Sequence, residues 1–366
     1  MRIVYGIFGY GRGHATRAEA VLSEIRQRHD VLILVGGDAH EALCSRFPVE
    51  RIPSLGYVYG ARGERSVRLT FQRNFRKVAD LVFGGETFRN VVRRVRDFKP
   101  DVAICDADPW THRAAAALGV PRIGFDHFGI MAWCRPPIAW RDTVQVFRDV
   151  FAYRALNGRP QRVVVSSFFD PESPGPGVRV VGPLLRDEVR RATARPGDHV
   201  LVYFNQSEHQ LTPRVMEELR ALRLPVVIYG KRHRGTDANL VYKRVGDPAF
   251  LDDLASCRAV LSTAGNQLVG ETMHLGKPIL VAPENTPEQR MNALAVERLG
   301  VGARIDRSSF TAGAIRRFLA EERRFAERAR TLRRDGREAS IAALETFARE
   351  LGGARQRAPL GAWRPA

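Results

Sequence analysis

The sequence predicts an α/β protein built from two doubly wound parallel-sheet domains in series. Three observations predict it. In the first half of the 366 residues, short apolar runs that end in glycine alternate with amphipathic helical stretches. The same alternation restarts after residue 199. Between the two halves lies FFDPESPGPGVRVVGPLLRD, rich in proline and glycine as a domain boundary requires.

Taken in order, residues 3–8 read as a strand and TRAEAVLSEIRQ, from about Thr16 to Gln27, as a helix with apolar residues at helical spacing. DVLILVGG is a continuous apolar run that suits a strand buried on both faces of a parallel sheet. Residues 53–63 carry glycines and tyrosines and read as a loop. The arginine-rich stretch 64–99, with Leu69, Phe71, Phe75, Val78 and Leu81, predicts one or two helices broken near Gly84-Gly85. DVAICD (101–106) is a strand, 109–119 a helix, 121–126 a strand, 128–147 an aromatic and proline-rich patch, and RVVVSS (162–167) a further strand. In the second half the strands are 200–205, 225–230, 259–265 and 278–283. The helices are 212–222, 266–276 and 286–300, the first with Thr212 as cap and Pro213 at its first position, and 245–257 is a turn and helix. Helical stretches 311–326 and 336–350 follow. The expected division is a first domain over 1–168, a linker over 169–198, a second domain over 199–335, a helix over 336–350 that crosses back, and a flexible tail over 351–366.

The formal charge is +18, from 58 Lys+Arg against 40 Asp+Glu, which invites nucleic acid, anionic lipid or a phosphorylated small molecule. Arginine outnumbers lysine throughout, so a purely compositional origin stays open. No zinc spacing, RNA-module aromatics or isolated basic helix supports nucleic-acid binding, and none is expected. Cys44, Cys105, Cys134 and Cys257 have neither metal-site spacing nor the density of a disulfide scaffold. No metal or organic cofactor is expected. Met1-Arg2 leads directly into IVYGIF without a secretory apolar region, and no run of eighteen apolar residues exists. A cytoplasmic location is the expectation.

The opening loop FGYGRGHATR begins like a dinucleotide fingerprint with Gly9-x-Gly11. The third glycine position holds His14, whose side chain hinders close helix–strand packing, and the second strand ends VGGD without a clear ribose partner. The loop is better read by its histidine. Gly9, Gly11 and Gly13 let the backbone turn tightly and approach a ligand. A helix starting near Ala15 or Thr16 directs its N–H groups at that crevice. His14 at its mouth is placed for proton transfer. A histidine that merely hydrogen-bonds its own loop is the alternative.

The G-x-G-x-G-H loop, the V-x-x-V-G-P linker (Val178, Val181, Gly182, Pro183) and the stretch STAGNQLVGETMHLGKPILVAPENTPEQRMNALAVERLG together resemble GT-B glycosyltransferases, closest to the branch of MurG-type UDP-sugar transferases. The resemblance implies GT-B architecture, two Rossmann-like domains facing across a cleft. It implies an acceptor on the N-terminal domain, a nucleotide sugar, usually UDP-linked, on the C-terminal one, inversion at the anomeric carbon and no bound metal. Thr263, Ala264 and Gly265 then approach the donor's phosphates, and Asn266 and Gln267 open the next helix. Glu271 takes the ribose hydroxyls, Gln289 the sugar hydroxyls, and Asn292 either shares that role or is structural. Gly11 and Gly13 border the donor from the other wall. Asn205, Lys231 and Arg232 stand at strand ends of the second sheet, where ligands bind in open α/β sheets; ordinary loop polarity is their alternative.

On the acceptor side His14 is the leading base, with Asp106 as helper and Asp108 as a competing carboxylate. Asp126 and His127 form another polar edge, and Trp133 and Trp140 an aromatic patch that covers an acceptor or packs between domains. Residues 62–99 lie where membrane-associated relatives carry an apolar patch ringed by basic residues. This makes a small-molecule or lipid-linked acceptor, with peripheral contact at the membrane's inner face, an expectation. A partly buried helix pair with a solvated arginine face is its alternative. A UDP-sugar 2-epimerase on the same scaffold is the rival activity, a basic nucleic-acid binder the rival class. Monomer and dimer stay open.

Overall fold

The computed structural model describes residues 1–60, 66–204, 207–230 and 234–357. The N-terminal lobe is built on a seven-stranded, all-parallel sheet. Its main strands are β1 (Arg2–Ile7), β2 (Asp30–Val35), β3 (Val49–Arg51), β4 (Val102–Asp106) and β5 (Arg122–Asp126). β6 (Cys134–Arg135) pairs instead with β8 (Ser173–Pro174), while β7 (Arg162–Ser166) and β9 (Val178–Val181) complete the sheet. The strand order is β3-β2-β1-β4-β5-β7-β9, with Tyr5 of β1 registered between Ile33 and Ile104. The unbroken Val/Ile runs follow from burial on both faces.

One face carries α1 (Arg12–Ile25) and α2 (Gly37–Leu43). The other carries α3 (Val67–Phe83), α4 (Glu86–Phe98) and α5 (Pro109–Ala117), with α6 (Gly129–Trp133) and α7 (Thr143–Asn157) beyond. The C-terminal sheet runs in order β12-β13-β11-β10-β14-β15-β16. Its strands are β10 (Val200–Tyr203), β11 (Val226–Tyr229), β12 (Gly235–Asp237), β13 (Leu240–Lys243), β14 (Ala259–Ser262), β15 (Ile279–Val281) and β16 (Gly302–Arg304); β12 alone is antiparallel. α8 (Asp187–Arg191) precedes this lobe. α9 (Ser207–Gln210), α10 (Pro213–Arg220) and α11 (Phe250–Ser256) are followed by α12 (Asn266–His274), α13 (Pro287–Leu299), α14 (Ala312–Ala320) and α15 (Glu322–Thr331). Thr212 caps α10 and Pro213 opens it, as expected.

Four points differ from the sequence reading. α1 begins at Arg12, because Gly11 at φ 78 ends the loop early, and His14 therefore sits within the first helical turn. The patch 128–147 is α6, β6 and the start of α7, a helix whose apolar residues lie on both its faces and so leave no clear period. Segment 169–198 is more than a linker, since β9 joins the N-terminal sheet beside β7. The last helix, α16 (Arg337–Arg357), runs into the expected tail; residues 358–366 lie outside the described residues.

The chain crosses between lobes twice, and the crossings touch. Gly336 N donates to Pro183 O at 2.8 Å, and a Cβ on Gly336 would fall 2.0 Å from Gly182 O. Only glycine permits that approach. Beyond the second crossing α16 packs on the N-terminal lobe through Leu344 and Phe347, and Arg337 bonds Ser23 and Glu24 of α1 at 3.1 Å each. One apolar core is continuous from Ile130, Val165 and Phe168 to Val260, Val269 and Met273, so the lobes share buried surface.

Candidate active site

The C-terminal ends of both sheets face one cleft. On the N-terminal wall, β4 ends in Asp106 and the chain turns through Ala107, a non-glycine residue at φ 51. That turn sends the two neighbouring carboxylates in opposite directions. Asp106 points at α1, where its Oδ1 lies 2.7 Å from His14 Nδ1. Asp108 turns back to cap α5, accepting from Thr111 N at 2.8 Å, with Pro109 at the first helical position. Burial pushes Asp108 up to about 7, whereas Asp106 is held below the usual carboxylate range. Burial alone would raise Asp106 too, but Arg17 and His14 outweigh it.

Arg17 is a member of this cluster that the sequence reading passed over. Its Nε donates to Asp106 Oδ2 at 2.9 Å and its Nη2 to Oδ1 at 2.5 Å, with Nη2 2.9 Å from His14 Nδ1. The spacing His14-x-x-Arg17, one turn apart on a helix, was the available signal. The glycines divide by role. Gly9 is pressed against the next crossover turn, where a Cβ would meet Gly36 O at 2.4 Å. Gly13 would meet nothing within 4 Å and is open to the cleft. Asp38 accepts from Gly11 N at 3.2 Å and so braces the loop. Asp126, raised by burial, accepts from Tyr153 Oη and Gly129 N, both at 2.6 Å, within its own lobe.

On the opposite wall α12 opens with Gly265 and has no side-chain cap, while Thr286 caps the neighbouring α13. Glu271, one turn into α12, is buried. Its oxygens accept from Arg186 Nε and Nη2 at 3.1 Å each and from Gln267 Nε2 at 3.0 Å. Arg186, just after the V-x-x-V-G-P signature, is a second residue the sequence reading passed over. Gln289 Oε1 accepts from both Ala264 N (3.1 Å) and Glu284 N (3.0 Å), which ties the β14–α12 turn to the β15–α13 loop. Thr263 Oγ1 is buried without a partner among the described residues. It lines a 260 Å³ cavity walled by Phe204, Ala282 and Phe310. Asn205, Lys231 and Arg232 lie outside the described residues.

Several predicted residues join the walls instead of standing free. His127 Nε2 lies 2.9 Å from Asn292 Oδ1, and Asn292 Nδ2 donates to Ala264 O at 2.8 Å. Asn266 donates to Ser166 O at 3.2 Å and accepts from Phe168 N at 3.1 Å. Tyr59, from the loop read only as tyrosine-rich, donates across the cleft to Glu284 Oε2 at 3.1 Å and accepts from Tyr10 Oη at 3.2 Å. Trp133 is half-buried beneath Arg154, its guanidinium 4.6 Å from the ring. Trp140 is 88% exposed and packs between no domains. Among the described residues, no cluster of three His, Cys, Asp or Glu side chains has the geometry of a metal site. None of their helices is long and apolar enough to cross a membrane.

Comparison with known proteins agrees with this layout. The family described as glycosyl transferase family 1 matches residues 1–322. A curated relative, the UDP-N-acetylglucosamine–N-acetylmuramyl-(pentapeptide) pyrophosphoryl-undecaprenol N-acetylglucosamine transferase of Klebsiella pneumoniae, is 28% identical over 237 residues, 59% of this chain. The match spans 62% of that relative, so the chain corresponds to about three-fifths of its length. Among solved structures, the glycotransferase of kitacinnamycin superposes with a TM-score of 0.68 at 18% identity, covering 98% of this chain and 99% of that one. MurG of Acinetobacter baumannii superposes at 0.58 and 16% identity, covering 94% and 99%. At such identities these structures speak for the fold. With two Rossmann-like sheets facing across a cleft and a family match over most of its length, the chain belongs to glycosyl transferase family 1 and has the GT-B architecture.

Proposed function

We propose that the protein is an inverting, metal-independent glycosyltransferase that moves a sugar from a nucleotide diphosphate sugar to a hydroxyl or amine. The observation that carries this reading is the His14–Asp106 pair. With Nδ1 turned to the carboxylate, Nε2 is the ring nitrogen left for an acceptor, and the His14 side chain keeps 24% exposure to the cleft. The acceptor's proton passes to Nε2 while its oxygen or nitrogen attacks the anomeric carbon. The bond to the diphosphate oxygen breaks on the opposite face, which inverts the centre. General-base assistance of this kind is worth about 10²–10⁴ in rate. Charge developing on the diphosphate is met by the backbone N–H groups at Gly265–Gln267 and the dipole of α12. Glu271 offers its remaining lone pairs to ribose hydroxyls, and the Gln289 amide N–H groups face the sugar. A UDP donor is favoured by the Klebsiella relative, whose name specifies one.

The experiment is product analysis with a panel of UDP-sugars. Free UDP released only when an acceptor is added supports transfer. Interconversion of the sugar nucleotide without an acceptor replaces this reading with a 2-epimerase.

A lipid-linked acceptor and peripheral contact with the inner face of a membrane are part of the same proposal. α3 exposes Val67, Phe71, Phe75 and Phe83 with Arg68, Arg73 and Arg76 beside them, and α7 exposes Val144, Phe147 and Phe151. Apolar side chains interleaved with arginines fit an anionic interface. Sedimentation with anionic vesicles, lost in Phe71→Ser/Phe75→Ser, is expected; equal sedimentation with neutral vesicles, or none with either, removes this part of the reading.

A further inference from the structure

Arg17 occupies an unusual place for a buried cation. It is on the same helix as His14, one turn on, and is almost fully covered. Its guanidinium engages both oxygens of Asp106 and also approaches the ring nitrogen of His14 at 2.9 Å. With Nδ1 2.7 Å from a carboxylate oxygen and 2.9 Å from Arg17 Nη2, the tautomer that suits the closer partner puts the hydrogen on Nδ1, and Arg17 Nη2 then gives its hydrogen to Asp106 Oδ1. The forked ion pair therefore fixes the plane of the carboxylate and favours that tautomer of the imidazole. It also changes the charge beside the ring. A histidine with a lone buried aspartate sits next to a net negative charge. This histidine sits next to a neutral pair.

We propose that Arg17 is a positioning residue for the base: its fork orients Asp106 toward His14 Nδ1 and cancels the carboxylate's charge beside the ring, which leaves Nε2 as the nitrogen that takes the acceptor's proton. The claim deepens the reading of His14 as base and rests on it. The other groups around the cluster leave that balance in place. Asp126 on β5 is raised by burial and accepts a hydrogen bond from Tyr153 of α7. The Tyr5 hydroxyl on β1 is buried and its ionisation pushed up by burial. The ring of Phe8 meets His14 edge-on at 5.3 Å. The ion pair beside the ring is the Asp106–Arg17 pair.

The test is a charge cycle read by NMR titration of His14 in protein carrying labelled histidine. Arg17→Met leaves Asp106 unopposed and should raise the His14 midpoint by about one pH unit. Asp106→Asn leaves Arg17 unopposed and should lower it by a similar amount. The double variant Arg17→Met/Asp106→Asn removes both charges and should return the midpoint to within about half a unit of the parent. An unmoved midpoint in both single variants, or a double variant that stays displaced, overturns the proposal. If Arg17→Met does not fold with its buried carboxylate unpaired, the step from Asp106→Asn to the double variant carries the same expected rise of about one unit. In activity assays the acid limb of the pH–kcat profile should follow the NMR midpoints. Arg17→Lys, which keeps the charge and loses the fork, should lower kcat with KM little changed and leave that limb in place. Midpoints that move while the acid limb does not would overturn His14 as base and leave the charge cancellation standing. If Arg17 were merely structural, Arg17→Met too would reduce activity equally at every pH.

Discussion

Asp106 on one wall of the cleft and Glu271 on the other are both buried carboxylates gripped by a forked arginine. Their settings differ. Arg17 belongs to α1 of the same lobe and its side chain is 5% exposed, whereas Arg186 comes from the interlobe segment and is 28% exposed. The third partner of Asp106 is an imidazole; that of Glu271 is an amide. A sealed pair acts on its neighbour, because no water relieves its field. A pair at the edge of solvent can exchange its bonds for those of a ligand. The same ion-pair chemistry is thus compatible with the proton-transfer site proposed on one wall and the binding site proposed on the other.

The contrast can be broken in several ways, beginning with the largest effect. His14→Ala should lower kcat by about 10²–10⁴ with donor affinity unchanged, measured by steady-state kinetics beside calorimetric donor binding. Near-native turnover would move the base elsewhere. Asp106→Ala strands Arg17 in the core and should cost about 3–5 kcal/mol of folding stability by urea denaturation. Glu271→Ala frees an arginine that already reaches water. It should therefore cost less than half as much stability, while weakening UDP-sugar binding by about 10–100-fold, or about 1.4–2.8 kcal/mol. Equal losses of stability in the two variants would erase the distinction between sealed and open pairs.

The smallest effect concerns pH and the neighbour that points away. Asp108 is raised to about 7, so it takes up its proton more readily in the folded protein than unfolded. Its contribution to stability is complete below about pH 4 and is lost as pH rises through 7. Asp106 is held low and behaves oppositely, losing its contribution as pH falls through its folded value. Asp108→Asn keeps a capping oxygen and should gain about 2–3 kcal/mol on the parent at pH 8 relative to pH 5, read from urea midpoints. A constant difference between parent and variant at the two pH values would show that Asp108 ionises normally.

Local chemistry made much of this molecule readable in one dimension. Unbroken Val and Ile runs announce parallel strands because both faces are covered, and Thr212-Pro213 announces a helix start because its first donors need a cap. His14 and Asp106 were visible as polar residues at the ends of apolar strands. What spacing could not reveal was direction. Asp106 and Asp108 are two apart, and the left-handed turn at Ala107, not their separation, sends one to His14 and the other to α5. α7 was hidden because apolar residues on both its faces erase the helical period. β9 was hidden inside a proline-rich boundary because its strand partner, β7, is contributed by another segment.

The sequence by itself determined the repeated α/β units, the two lobes and the residue types at the cleft, since these rest on periodicity and on chemistry between near neighbours. The tertiary structure alone decided which of those residues meet. Arg186 reaches Glu271 across 85 positions, His127 reaches Asn292 across 165, and Arg17 reaches Asp106 across 89. Such pairings depend on the crossovers that bring distant strand ends to one edge, and on the shared core that holds the two edges face to face.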